Sequence, residues 1–226
     1  MVDVPGPVVV AILTRAPSRG GKSRLFAALD RSPDEALLSS LLLDTLDGVE
    51  LPGATRVVVV EPADACEDVR AIIPANVRVV AQSVGGLGDR MRAAMAHLLG
   101  EGAAGVVLIG SDLPDITPAV IAEAVAYLTD DPESLVLGPS ADGGYYLIAA
   151  TRLPDVFEGI DWGGPHVLEQ TRSIADSRHL RVHLLAAMRD VDTPDDLRSV
   201  VAPRTQTWWR RFSRATASRT TGPSTS

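Results

Sequence analysis

Seven short apolar runs punctuate the chain, and between them the apolar positions shift to a helical spacing. "PVVVAIL" (7–13), "TRVVVVE" (55–61), "VRVVA" (77–81), "GVVLIG" (105–110) and "SLVLGP" (134–139) are continuous rather than alternating. Continuous Val/Ile runs predict strands buried on both faces, as in a sheet covered by helices. "GYYLIAA" (144–150) and "LRVHLL" (180–185) extend the series. The segments between them carry helix-start signals. Ser32 and Pro33 open "SPDEALLSSLLLDTL", with Asp34 and Glu35 in the first turn. Thr117–Pro118 and Thr193–Pro194 open two more helices, with Asp195 and Asp196 read as dipole partners in the second. "LGDRMRAAMAHLL" (87–99) and "GPHVLEQTRSIA" (164–175) complete the set. Alternation of this kind predicts an α/β fold: a mostly parallel twisted sheet with helices on both faces.

Composition narrows this picture. The 226 residues are 46% apolar but only 4% aromatic, enough for one core packed by Ala, Val and Leu. A formal charge of −8 argues against nucleic acid as a partner, since phosphate contacts need clustered cations. The single cysteine, Cys66, makes no intramolecular disulfide or cysteine-based metal site and reads as a packing residue at a helix. No run reaches the roughly 18 apolar residues of a membrane span. The start "MVDVPGP" lacks a signal pattern, so a cytoplasmic location is expected. From Pro203 the composition changes: residues 203–226 hold five arginines and no acid. Residues 1–202 are therefore expected to form the domain and 203–226 a loose basic tail. Trp208 to Arg214 ("WWRRFSR") reads either as a packing turn or as a short basic helix touching a membrane surface or partner.

In an open parallel sheet, ligands bind beyond the carboxyl ends of the strands, so the residues after each strand carry the functional signal. After the first strand comes "TRAPSRGGKSRL": Gly20 and Gly21 admit close backbone approach, and Arg15, Arg19, Lys22 and Arg24 supply charge. A Walker A loop is excluded, because Ala16 and Pro17 stand where that motif needs its first glycine. A polyphosphate site of another kind is expected. After the 105–110 strand, "GSDLPDITP" puts Asp112 at a strand end, with Asp115 three residues on. After the 180–185 strand, "MRDVDTPDDL" places Asp190 and Asp192 two apart, on one side of an extended segment. Meeting Asp112 across neighbouring strand ends, they would offer the few hard oxygen ligands that Mg2+ or Mn2+ needs. The plainer alternatives are a turn-forming Asp112 and a helix-starting Asp192. "QSVGGLGDRM" (82–91) sets Gly85, Gly86 and Gly88 before a helix, where backbone N–H groups could read a base or phosphate. "GPSADGGYYLI" (138–148) places Asp142, Gly143 and Gly144 between two strands, which is equally a plain hairpin turn.

Taken together, "APSRGGKSRL", "GGLGDRM", "GSDLPDITP", "GPSADGGYYLI", "FEGIDW" and "RDVDTPDDL" resemble, in this order, the selenodomain-associated transferase family. That family, also described as arsenosugar-biosynthesis glycosyltransferase-like, belongs to the nucleotide-diphospho-sugar transferase (GT-A) superfamily. It is similar to the guanylyltransferases that activate phospholactate or phosphoenolpyruvate. The resemblance runs from about residue 8 to 200. It implies one antiparallel strand, at 144–150. It implies nucleotide contacts at Ala16, Pro17, Arg19, Gly20, Gly21, Lys22, Arg24, Gly85, Gly86, Leu87, Asp89 and Ser111. A divalent ion is implied at Asp112 with Asp190 or Asp192, and an acceptor near Asp142, Gly143, Gly144, Asp161 and Trp162. The sequence departs from the family at "DWGGPHV", where Gly163 and Gly164 replace hydroxyl residues; His166 nearby reads as an exposed helix-start residue.

Two enzyme readings emerge, both with a nucleotide donor and a small acceptor. In nucleotidyl transfer, Lys22 and Arg24 hold a triphosphate, Asp112 serves the metal, and an ionised phosphate or carboxylate attacks the α-phosphorus. In glycosyl transfer, a nucleotide-sugar donates its sugar and Asp142 or Asp161 acts as base. The charge-rich loop and the missing Asp-x-Asp at Asp112 favour the first. A non-catalytic nucleotide-binding protein, suggested by Gly163–Gly164, is the reading from another class.

Overall fold

The computed structural model describes residues 6–220, with side chains as far as 216. Residues 1–5, which carry most of the signal-free start, and the Ser/Thr/Gly/Pro ending at 221–226 lie outside the described residues.

The apolar runs form β1 (Val8–Arg15), β2 (Thr55–Glu61), β3 (Arg78–Ala81), β4 (Gly105–Gly110), β5 (Leu135–Pro139), β6 (Tyr145–Ala150) and β7 (Val182–Leu184). They make one sheet in the order β3-β2-β1-β4-β6-β5-β7. All neighbours are parallel except β6, which runs antiparallel to both β4 and β5. The expected mixed sheet is therefore present, with the reversed strand at 145–150.

Eight helices of the described residues surround it: α1 (Ser23–Ala28), α2 (Glu35–Gly48), α3 (Cys66–Arg70), α4 (Leu87–Gly100), α5 (Pro118–Asp130), α6 (Val167–Ser177), α7 (Pro194–Ser199) and α8 (Pro203–Thr220). The strands are apolar throughout because both sheet faces are covered. Val10, Ile12, Val58, Val60, Val107 and Ile109 pack with Leu42 and Leu46 of α2 and Ile121 and Leu128 of α5. Their neighbours Val9, Ala11, Val57, Val59, Val106 and Leu108 face Met91, Met95 and Leu98 of α4.

Three local expectations are corrected. The second helix starts at Glu35, not at Pro33, because Asp34 is the residue whose carboxylate takes the Ala36 N–H at 2.9 Å and the Leu37 N–H at 3.4 Å. Asp196 is more than a dipole partner: its carboxylate accepts from the Thr193 N–H (2.8 Å) and hydroxyl (2.7 Å), closing a capping box. The stretch after Pro203 is not a loose tail as far as it is described, but a helix docked on α2. Thr205 is fully buried, and Trp208 and Trp209 pack on a third cluster with Leu37, Leu41, Leu197 and Val200. Two carboxylates from elsewhere hold its entry. Asp44 of α2 accepts from the Arg204 and Thr205 N–H groups (3.3 and 2.8 Å), and Asp115 from those of Val201 and Ala202 (3.1 and 2.8 Å). The composition hid this because the packing surface is on α2. Trp208 Nε1 donates to Asp34 at 3.2 Å and Trp208 stacks on Phe212, so the described part of this stretch is a helix packed on the domain.

Candidate active site

The segments after three strands meet at one point. Lys22 sits in the β1–α1 loop with φ +49°, Asp112 two residues after β4, and Asp190 and Asp192 between β7 and α7. One carboxylate oxygen from each aspartate lies within 4.8 Å of the others. The Lys22 ammonium stands among them, in contact with Asp112 and 2.6 Å from Asp192 Oδ1. The lysine side chain is only 15% exposed. Burial disfavours its charged form, but Asp112 and then Asp192 outweigh that, and its pKa lies above the ordinary lysine value. Burial, with repulsion from Asp192 and Asp112, pushes the Asp190 carboxyl up to about 6. Three hard oxygen donors already attracting a cation are a chemically suitable set for a divalent ion.

Two clefts adjoin at this point and share Leu13, Leu87 and Asp112. The first, of about 300 Å³, is lined by the glycine loop (Gly20, Gly21, Lys22), Ser111 and the strand-end residues Glu61 and Gln82. Its floor is a polar network. The Gln82 amide donates to the Thr14 and Val59 carbonyls (2.8 and 2.9 Å) and accepts from Arg90 at 3.1 Å; Arg90 in turn pairs with Glu61. Thr14 Oγ1 lies 3.0 Å from Ser111 Oγ, tying β1 to the β4 exit.

The second cleft is larger, about 510 Å³, with Leu87, Met91, Leu108, Tyr145 and Trp162 as its apolar wall and Arg24, Asp142 and Asp190 among its charges. Trp162 crosses the start of α4, where a Cβ on Gly88 would lie 2.3 Å from its indole nitrogen. Phe157 stacks on it at 6.5 Å and Tyr145 meets it edge-on at 6.2 Å. The hairpin turn between β5 and β6 supplies Asp142. The Ser140 hydroxyl donates to its carboxylate, which outweighs partial burial and holds the acid below its ordinary range.

The structure thus brings together Gly20, Gly21, Lys22, Leu87, Ser111 and Asp112 on one side, and Arg24, Asp142, Gly144, Trp162 and Asp190 on the other. Other expected contacts lie elsewhere. Ala16 and Pro17 are buried under the loop, and Arg19 turns away to Asp64 (3.2 Å) and Asp68 (4.0 Å). Gly85, Gly86 and Asp89 line neither cleft; Asp89 instead caps α4, accepting from the Gly86 N–H at 3.0 Å. Gly143, at φ +92°, lies so close to Pro165 that a Cβ would sit 1.9 Å from its carbonyl oxygen. Asp161 folds back over Gly164, and His166 pairs with Glu169 on the surface. Gly163 has φ +96°, a conformation that strains any side-chain-bearing residue, so a glycine at 163 is what this turn requires. Asp115, the neighbouring acid after β4, serves the entry to α8. Sequence reasoning missed Thr14, Glu61, Arg90, Ser140 and Tyr145. Glu61 ends β2 and Ser140 comes directly after β5, so the strand-end rule applied to every strand reaches both.

The sequence pattern of one bacterial family, described as "Uncharacterized protein conserved in bacteria (DUF2064)", matches residues 45–164. The chain belongs to this family. Among curated proteins, this family member is 32% identical over 197 residues to a 3-phospho-D-glycerate guanylyltransferase of Phenylobacterium zucineum (strain HLK1), covering 82% of this chain and 86% of that one. It is 34% identical over 198 residues to a phosphoenolpyruvate guanylyltransferase of Salinispora arenicola (strain CNS-205), covering 81% and 85%. Among solved structures, it matches a protein of Desulfovibrio desulfuricans G20 described as a nucleotide-diphospho-sugar transferase. There the TM-score is 0.79 at 26% identity, over 93% of this chain and 98% of that one. Among the described residues, no helix is long and apolar enough to cross a membrane.

Proposed function

We propose that this protein is a divalent-metal-dependent nucleotidyltransferase, moving the nucleoside monophosphate of a triphosphate onto a small phosphorylated or carboxylated acceptor. The observation that carries this reading is the position of Asp112, with Lys22, Asp190 and Asp192 around it, where two clefts of different chemistry adjoin. The smaller cleft, with Arg15, Lys22 and Arg90 in its lining, suits the nucleotide. The larger one suits the acceptor, with Arg24 as the cation that receives its anionic group. Asp112, Asp190 and Asp192 would hold Mg2+ or Mn2+, and when bound the ion neutralises phosphate charge. An acceptor oxygen then bonds to the α-phosphorus, the bridge to the β-phosphate breaks, and pyrophosphate leaves. Lys22 holds the triphosphate while Arg24 offsets the charge of the incoming acceptor; an acceptor already ionised needs no base. A cytoplasmic setting goes with this reading.

The rival, inverting glycosyl transfer, needs a carboxylate that takes a proton near neutral pH. Asp142 lies in the acceptor cleft, but its depressed pKa makes it a poor base, and Asp161 lines neither cleft. The names of the relatives at 32% and 34% identity also favour a guanylyl donor. The test is a thermal-shift screen with nucleoside triphosphates and nucleotide-sugars, each with Mg2+ and with chelator, then an assay of pyrophosphate release on phosphorylated acids. Magnesium-dependent stabilisation by GTP and acceptor-dependent pyrophosphate are expected. Stabilisation by nucleotide-sugars alone would move the assignment to glycosyl transfer.

A further inference from the structure

The carboxylate group that would take the metal is already occupied by a cation of the chain itself. The Lys22 ammonium contacts Asp112 and lies 2.6 Å from Asp192 Oδ1, and its side chain is 15% exposed. A divalent ion and this ammonium compete for the same oxygens. Two like charges cannot share them at contact distance without a strong penalty. Lys22 comes from the glycine loop that lines the nucleotide cleft, and phosphate oxygens arriving there offer it an alternative partner. Arg24, two residues on, lines the other cleft and makes no contact with the three aspartates in the structure.

We infer that Lys22 is an internal gate on the metal site: it keeps the three aspartates closed to a lone divalent ion and yields them when a triphosphate draws its ammonium away. The inference rests on the nucleotidyl-transfer reading and adds an order to it, in which metal and nucleotide load together. A free active site then holds neither a bare metal ion nor an unpaired cluster of acids.

The test is Mn2+ titration of the full-length protein, read by electron paramagnetic resonance of the free ion, with and without GTP. Wild type should bind Mn2+ weakly alone and about tenfold or more tightly once GTP is present. Lys22→Met should bind Mn2+ alone about tenfold or more tightly than wild type, yet hold GTP less tightly. These opposite changes from one substitution are what a merely structural role would not produce. Lys22→Gln serves as the second variant should the methionine form fail to fold. Arg178→Met removes the same charge at a residue that pairs with Asp155 and lines neither cleft, and should leave lone Mn2+ affinity within about twofold. Equal lone-ion affinity in wild type and both Lys22 variants would overturn the gate, while GTP binding that still needs Mn2+ would leave the nucleotidyl reading standing. Equal tightening by Arg178→Met would also overturn it, pointing to net charge. Absence of Mn2+ and GTP binding in every form would overturn both.

Discussion

Cutting the chain after Ala202 tests whether α8 is a structural part of the domain. The cut removes the three donors that reach the Asp44 carboxylate: the Arg204 N–H at 3.3 Å, the Arg204 guanidinium at 3.1 Å and the Thr205 N–H at 2.8 Å. That carboxylate is 1% exposed in the intact chain, so it loses its partners on a surface built to be covered. Breaking a buried charge pair by removing one partner costs about 3–5 kcal/mol. Water reaching the uncovered acid lowers this, and lost cover from Trp208 and Trp209 raises it, so about 3 kcal/mol is the working figure. For a domain of this size that is a fall in Tm of about 6–12 °C. Circular dichroism melting of both chains measures it, and urea midpoints provide a second reading. Asp44→Asn isolates the cause. It should destabilise the full chain by about 1–3 kcal/mol, because charged acceptors make the stronger hydrogen bonds. In the shortened chain it should be neutral or stabilising, because it removes a stranded charge. A shortened chain melting within about 2 °C of the parent, or an Asp44→Asn cost equal in both backgrounds, would refute the reasoning.

Three further outcomes are expected. Asp112→Asn should abolish metal-dependent stabilisation by triphosphate while leaving the Tm of the free protein within a few degrees; unchanged metal dependence in a melting assay would remove Asp112 from the metal set. Chelation should have a matching effect on wild type, abolishing the roughly 2.7 kcal/mol of stabilisation that a ligand gives at 100 times its Kd. Gly88→Ala puts a methyl group where the Trp162 indole lies, so the ring must shift. The KM for acceptor should rise several-fold with nucleotide affinity nearly unchanged, as steady-state kinetics and nucleotide titration would show.

Much of this protein is written in its local sequence, and the reasons are local too. Runs such as "VVVAIL" and "GVVLIG" are apolar on every residue because each strand is covered on both faces, so α/β architecture follows from periodicity. The site follows from the rule that ligands lie beyond strand ends, which is why Lys22, Asp112, Asp190 and Asp192 could be named from spacing and motif. Spacing could not carry direction. Arg19 and Lys22 share one basic loop, yet Arg19 turns to Asp64 and Lys22 to Asp112 and Asp192, partners that are 45, 90 and 170 residues distant. Asp112 and Asp115 come after the same strand, and only packing decides that one faces the clefts and the other holds the entry to α8. The same holds for α8 itself: its arginines and small polar residues read as a tail until the buried Asp44 on α2 shows what they were made to cover. Burial on both faces sets the order of elements one residue at a time. Partner choice between charges depends on which surfaces meet, and those surfaces exist only once the sheet has closed.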